Sequence, residues 1–277
     1  MVIALLCALN AVVWHLIFSQ ASAVSAIYFL NVGQGDSSLV VMADHNGHQA
    51  RLLIDGGPIN GLAKRNLETI LPLNDRKIDI AVVTHPQADH YGGLIEVLDY
   101  FDVGMVLTDG KESTNASWKA FKEVVARRHI PLRTIDEYDR ITYSDFVLHA
   151  FGPDPAEHPK DINDSSVVLR LDGGGFHALF TADISGEKER NIAREFDVDV
   201  DILKASHHGS RFSSDSAFLA EVTPRVAVVS TGKNTYGHPT AQALNRLAAA
   251  GARIFRTDKD GLIKITADNG AVQVFSL

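Results

Sequence analysis

Cysteine is almost absent from this 277-residue chain: Cys7 is the only one. That excludes an internal disulfide framework and any zinc site built from paired thiolates. Positive charge is scarce as well, with 26 Lys and Arg against 34 Asp and Glu, for a formal net charge of -8. A general nucleic-acid coating protein is disfavoured by that balance, because binding to phosphates is driven mainly by Lys and Arg. A polyanionic substrate would need a local cationic feature, and a bound metal ion is one. No internal repeat, low-complexity tract or linker rich in Gly, Pro or Ser divides the sequence.

Charge of either sign is missing from the N-terminus, where the first charged residue is Asp36. Val2 to Phe18 is apolar except for Asn10 and His15, and a small-residue extension carries the run to Ala26. A helix of about 20 residues spans a bilayer, so residues 1–26 are long enough for a membrane anchor. A cleaved signal peptide would explain Ala21-Ser22-Ala23, but the basic leading segment is missing and the apolar run is long for one. A retained anchor is the preferred expectation. A buried core helix is the third, although it would usually show a polar stripe.

What remains is compositionally ordinary, with 45% apolar and 22% charged residues, enough for a substantial core. From Ile27 onward short β-type runs alternate with amphipathic stretches. Strands are expected at 27–31, 38–42, 50–54, 78–84, 105–107, 146–150, 166–171, 176–180, 198–204, 226–230, 253–256, 262–266 and 271–275. Helices are expected to begin near Gly61, Ala88, Ser117, Ser185, Ser214 and Thr240, several beside a Ser, Thr or Asp able to cap them. Many strands with interspersed helices predict two central sheets with helices outside.

The most informative run is His85-Pro86-Gln87-Ala88-Asp89-His90, which follows the apolar stretch Ile78 to Val83. Imidazoles and a carboxylate at a strand end, where a helix starts, form a ligand set for a borderline-soft divalent metal. One such residue would read as an ordinary polar strand end; three on a single turn reverse that. Other strands deliver similar groups. Leu52-Leu53-Ile54 leads to Asp55-Gly56-Gly57, Phe180-Thr181 to Ala182-Asp183, Leu203-Lys204 to Ser206-His207-His208-Gly209, and Val226 to Ser230 to Tyr236-Gly237-His238.

Together with Phe29-Leu30-Asn31-Val32-Gly33-Gln34-Gly35-Asp36-Ser37 and Asn163-Asp164-Ser165-Ser166, these runs make the chain after Ile27 resemble the metallo-β-lactamase superfamily. Within it, the resemblance is to the hydrolase domain of ComEC-type competence proteins. The resemblance implies an α/β fold, a four-layer αββα sandwich over residues 27–277, preceded here by the apolar helix. In ComEC proteins the domain is fused to a polytopic channel; a single apolar segment forms no DNA pore, so transport would need a separate DNA-uptake channel protein as partner.

Carried across by motif, the resemblance makes His85, Asp89, His90, Asp183 and His207 metal ligands. Asp55 would orient ligands from behind, and Gln87, Asn163, Ser166 and His208 would support the site. Gln87 stands where the superfamily usually has His, and Asn163 to Ser166 where many members place another. The first metal position is thus depleted of imidazole, which favours one firm ion, or a second held by more oxygen ligands, zinc or manganese being the candidates. Asp89 would aim the attacking water, and His238 would protonate the leaving oxygen or hold a phosphate. The expected function is a metal-dependent phosphodiesterase or nuclease acting on DNA in a competence role, membrane-anchored with its catalytic domain outside the cytoplasmic membrane, or secreted. Hydrolysis of a small phosphoester, another ester or a lactam, and a non-catalytic binding module, are the alternatives.

Overall fold

The computed structural model describes residues 24–268 and 270–277, together with Asn10. The apolar helix expected over residues 1–26 therefore falls almost wholly outside the described residues. Among the described residues no helix is long and apolar enough to cross a membrane.

The chain opens with β1 (Ala26–Phe29), β2 (Ser38–Ala43) and β3 (Gln49–Ile54), then α1 (Leu62–Ile70), β4 (Lys77–Val83), the short helices α2 (Ala88–Tyr91) and α3 (Leu94–Tyr100), and β5 (Asp102–Thr108). Next come α4 (Ala116–Arg127), β6 (Leu132–Thr134), β7 (Arg140–Tyr143), β8 (Phe146–Gly152), β9 (Val168–Gly173), β10 (Phe176–Phe180) and α5 (Gly186–Glu195). The last part holds β11 (Ile202–Lys204), α6 (Ser216–Val222), β12 (Val226–Val229), α7 (Ala241–Ala249), β13 (Arg253–Arg256), α8 (Thr257–Asp260), β14 (Ile263–Asp268) and β15 (Ala271–Ser276). One mixed sheet has the order β15-β14-β1-β2-β3-β4-β5-β6 and the other β13-β12-β11-β10-β9-β8-β7.

Residue alternation decides how these layers stack, since successive side chains of a strand point to opposite faces. Val40, Leu52 and Ile54 of the first sheet share a core with Leu169, Ala178, Phe180 and Val228 of the second. Their neighbours Leu39, Val41 and Leu53 face the other way, onto Leu67 of α1, Leu94 and Val97 of α3, and Phe121 of α4. Leu179, Leu203 and Val229 likewise leave the second sheet for Ile192 of α5, Phe218 of α6 and Leu247 of α7. The order is helix, sheet, sheet, helix. Side-chain caps start α5 at Ser185, α6 at Asp215 and α7 at Thr240.

One expected strand needs correction, and two strands were not expected. The strand expected over Val198–Lys204 is only Ile202–Lys204. Asp201 turns its carboxylate to the main-chain amide of His177 and Val200 bonds to Val222, so the chain crosses toward the sheet before joining it. The edge strands β6 and β7 escape a hydrophobicity reading because Leu132, Arg133 and Thr134 are all exposed and β7 is half-exposed.

The parallel pairs β3·β4, β4·β5, β10·β11 and β11·β12 send their C-terminal ends to one edge of the sandwich. There the loop after β3 presses against the junction of α2 and α3. A Cβ on Gly93 would lie 2.0 Å from the carbonyl oxygen of Gly56, and one on Gly56 2.6 Å from the Leu94 nitrogen. Backbone alone fits in that space. Gly93→Ala is expected to cost about 1–3 kcal/mol of stability through overpacking, read as a lower urea midpoint in equilibrium unfolding.

Candidate metal centre

The strand ends bring three buried imidazoles together, those of His85, His90 and His208. In each the Nδ1 atom is already engaged. His90 Nδ1 lies 2.8 Å from Asp55 Oδ2, His208 Nδ1 3.0 Å from the carbonyl oxygen of Ser230, and His85 Nδ1 3.1 Å from Thr84 Oγ1. Carboxylate and carbonyl oxygens only accept, and the Thr84 hydroxyl spends its proton on Asp55 Oδ2 at 2.7 Å. All three rings therefore carry a proton on Nδ1 and turn Nε2 inward. The three Nε2 atoms are buried without a hydrogen-bond partner.

The carboxylates face the same point. Asp183 Oδ2 is 3.3 Å from His90 Nε2 and 3.3 Å from His208 Nε2, while Asp89 Oδ2 is 3.4 Å from His208 Nε2. Asp36, Asp55 and Asp183 are almost fully buried. Against them, among the described residues, stands one permanent cation, Lys204, whose ammonium pairs with Asp36, lies 3.7 Å from Asp183 and donates to the carbonyl of Ala182 at 2.8 Å.

That deficit of positive charge shows in the proton affinities. Burial works against charge on His90 and His208, but the carboxylates around each outweigh it and hold both well above the usual imidazole range. Asp183 goes the other way: burial raises it, and the charges of His208 and His90 bring it well below the carboxylate range. For Asp89, burial is outweighed by the close approach of His208, 3.4 Å away, and by the charges of His90 and His208, leaving it at about 2. His85 is pushed down to about 3 by burial and by the charge of His90. A ring that stays neutral, and two that hold a proton only because anions surround them, make a donor set suited to a divalent cation in place of those protons. Four groups of donor atoms fall within 4.8 Å of one another: His85, His90 and Asp183; Asp89, His90 and His208; Asp36, Asp55 and His90; and Asp36, Asp183 and His208. The residues fit a metal ion.

Among the residues expected in the site, His85, Asp89, His90 and Asp183 meet at this point. His207 does not join them. It stands outside all four donor groups, with Nε2 3.9 Å from Asp183 and its side chain 32% exposed. His208, expected only in support, stands in two of them. The cause is local: both residues take left-handed backbone angles, φ 50° and 53°, and this turn sends the second ring inward and the first toward the cavity. Glu189 fixes the turn from behind, accepting from Ser206 Oγ at 2.5 Å and from the amides of Ser214 and Asp215; burial raises its carboxyl to about 7.

The amide of Gln87 donates to the side-chain carbonyl of Asn163, so these two groups satisfy each other where further imidazoles were expected to be missing. Ser166 is fully buried and bonds to the Asn163 carbonyl at 2.6 Å, a local brace. Asp55 accepts from the Thr84 amide and hydroxyl and from His90, holding strand end and ligand together. His238 reaches the cavity from the loop after β12, its ring 5.5 Å from that of His207.

Asp36, Thr84 and Lys204 were not singled out from sequence. Each had a trace there: Asp36 is the first charge in the chain, Lys204 ends an otherwise apolar strand, and Thr84 puts a hydroxyl between strand and His85. The centre forms the floor of a cavity of about 560 Å³ walled by Gln34, Ile59, Gln87, His207, Tyr236 and His238.

Comparison with known proteins agrees with this geometry. The chain is 28% identical over 271 residues to ComE operon protein 3 of Bacillus subtilis, covering 91% of this chain and 34% of that protein. It is 29% identical over 253 residues to competence protein ComA of Neisseria gonorrhoeae, covering 90% of this chain and 33% of that one. It thus spans about a third of the length of these relatives. Among solved structures, Tm1679, titled a metal-dependent hydrolase of the β-lactamase superfamily, superposes with a TM-score of 0.57 at 14% identity, covering 88% of this chain and 100% of that one. Zinc-bound PqqB from Methylobacterium extorquens gives 0.54 at 12%, covering 83% and 97%. The model of the metallo-β-lactamase superfamily matches residues 30–233, so this chain belongs to that superfamily and is related to the competence proteins.

Proposed function

We propose that the chain is a metal-dependent phosphodiesterase acting on DNA in a competence-related role. The observation that carries the reading is the convergence of three unpartnered, buried Nε2 atoms with Asp89 and Asp183 at the floor of an open cavity. We assign His85, His90, His208, Asp89 and Asp183 as the groups that would hold one divalent ion, zinc or manganese, and leave His207 outside that set. A divalent ion so held supplies Lewis acidity toward a phosphoryl oxygen and makes water acidic enough to attack near neutral pH. The competence relatives favour a DNA phosphodiester over an ester or lactam.

The chain's own residues set the geometry of that attack. Asp89, half-buried beside the cavity, orients the water through its carboxylate. His238 is lowered from the ordinary imidazole value by burial and by the charges of His207 and His208. It is therefore neutral at pH 7. Holding a phosphate oxygen by an N–H suits that state better than delivering a proton, which would need the imidazolium. Gln87, tied to Asn163, contributes an amide and no charge.

The apolar run of residues 2–18 supports a further part of the reading, a membrane anchor; the extracytoplasmic side of the hydrolase domain comes into this reading from the resemblance to competence proteins. Carbonate extraction of membranes is expected to leave the protein in the pellet, and its release as intact soluble protein would count against the anchor.

His208→Ala is expected to strip the metal and His207→Ala to retain most of it, measured by elemental analysis of the purified proteins. The reverse order would restore His207 as the ligand. Asp89→Ala is expected to abolish hydrolysis of DNA, while Gln87→Ala costs far less. His238→Ala should keep its metal and lose turnover by about 100- to 1,000-fold, as for removal of one oxyanion donor. Because the functional form of His238 is the neutral one, kcat should rise with pH through its lowered pKa and hold level from pH 7 to 8. A fall over that range would mark the imidazolium as the working form. Metal-loaded protein that leaves every phosphodiester intact would overturn the enzyme reading in favour of a binding module.

A further inference from the structure

Tyr236 combines two properties that rarely occur together: its side chain is among the most exposed of the large hydrophobic residues, at 74%, and its loop is firmly held. One side chain, Asn234, pins that loop. Its Oδ1 accepts from the amides of Tyr236 and His238, each at 3.1 Å. Its Nδ2 shares two hydrogens among three acceptors, the carbonyls of Gly232 at 2.8 Å and His238 at 2.7 Å and Gln34 Oε1 at 3.1 Å. Gln34 belongs to the loop after β1, and its Oε1 also accepts from the Gly232 amide at 3.2 Å, so the pinned loop is fastened across to the other sheet. The Tyr236 ring lies 6.0 Å from the ring of His238 and lines the same cavity as Asp89 and Asp183. From the first sheet, Pro58 and the 54%-exposed Ile59 line that cavity too. No Lys or Arg does.

We infer that Tyr236 is a stacking platform for an unpaired nucleobase next to the phosphodiester held at the metal centre, which makes single-stranded nucleic acid the substrate class. The inference rests on the phosphodiesterase reading and narrows it. A cavity lined by no Lys or Arg among the described residues gains little from the sugar-phosphate backbone, so affinity beyond the metal must come from the flat apolar parts of the ligand. An aromatic face serves any base, and stacking needs the base out of a duplex. The loop is ordered before the ligand arrives, so little conformational entropy is lost on binding. Ile59 adds apolar surface to the same cavity.

The test measures binding of the metal-loaded protein to two dye-labelled, hydrolysis-resistant phosphorothioate strands of about 12 nucleotides, within the span of known single-strand sites. One carries bases and the other is abasic, with identical backbone charge. By fluorescence anisotropy the base-bearing strand is expected to bind about 5- to 150-fold tighter, the range that one stacked base supplies. Tyr236→Ala should bring the ratio of the two Kd values toward unity, and Tyr236→Phe should preserve it. Equal binding of the two strands by the wild type, an undiminished ratio in Tyr236→Ala, or a duplex that binds as tightly as the single strand would each overturn the inference. A base-dependent preference that Tyr236→Ala erases supports it even if ordinary DNA is left uncut, and that combination would overturn only the phosphodiesterase reading.

Discussion

Three carboxylates, Asp36, Asp55 and Asp183, are buried at one edge of the sandwich with a single ammonium, Lys204, for company. Charges are costly to remove from water unless they are paired and hydrogen-bonded. Nearly every local feature of the edge answers that demand. Asp55 is satisfied by Thr84 and His90, Asp36 is charge-paired with Lys204, and the balance falls on imidazoles whose other nitrogens are already engaged. The same excess of negative charge that works against the fold is what would make it select a cation. Chemistry and instability share one cause.

Much of this was legible in the sequence because strands that end in polar ligand types are short local patterns. Asp55, His85, His90 and Asp183 all follow runs of buried apolar residues, and their parallel strands deliver them to a common edge. Periodicity also gave the helix starts, since Ser185 and Thr240 cap helices as a Ser or Thr before an amphipathic stretch should. The choice between His207 and His208 was not legible. It depends on two successive left-handed residues, and no local pattern distinguishes which of two adjacent imidazoles such a turn sends inward. Lys204 was hidden for another reason. Its role is to neutralise Asp36, a residue far away in sequence, and that pairing exists only after both sheets have formed.

The two sheets are joined at this edge by more than their shared core. Gln34, from the first sheet's loops, accepts from Gly232 and Asn234 in the second's, and a Cβ on Gly232 would come within 2.3 Å of the Gly33 carbonyl carbon. The cavity wall is therefore backbone packed on backbone, fastened by two amide side chains. Such a wall holds exposed groups in fixed directions without burying them, which is how a site can be both rigid and open.

The tethering of the three inward-facing rings has one more consequence. Thr84 and Asp55, which hold His85 and His90, belong to the first sheet's strand ends, whereas Ser230, which holds His208, follows β12 of the second. An ion bound among them would be a crosslink between the two halves of the molecule. A ligand that binds only the folded state adds stability in proportion to the logarithm of its free concentration, about 1.4 kcal/mol for each tenfold excess over Kd. The lifetime of this protein in the presence of proteases is thereby tied to how much free metal surrounds it.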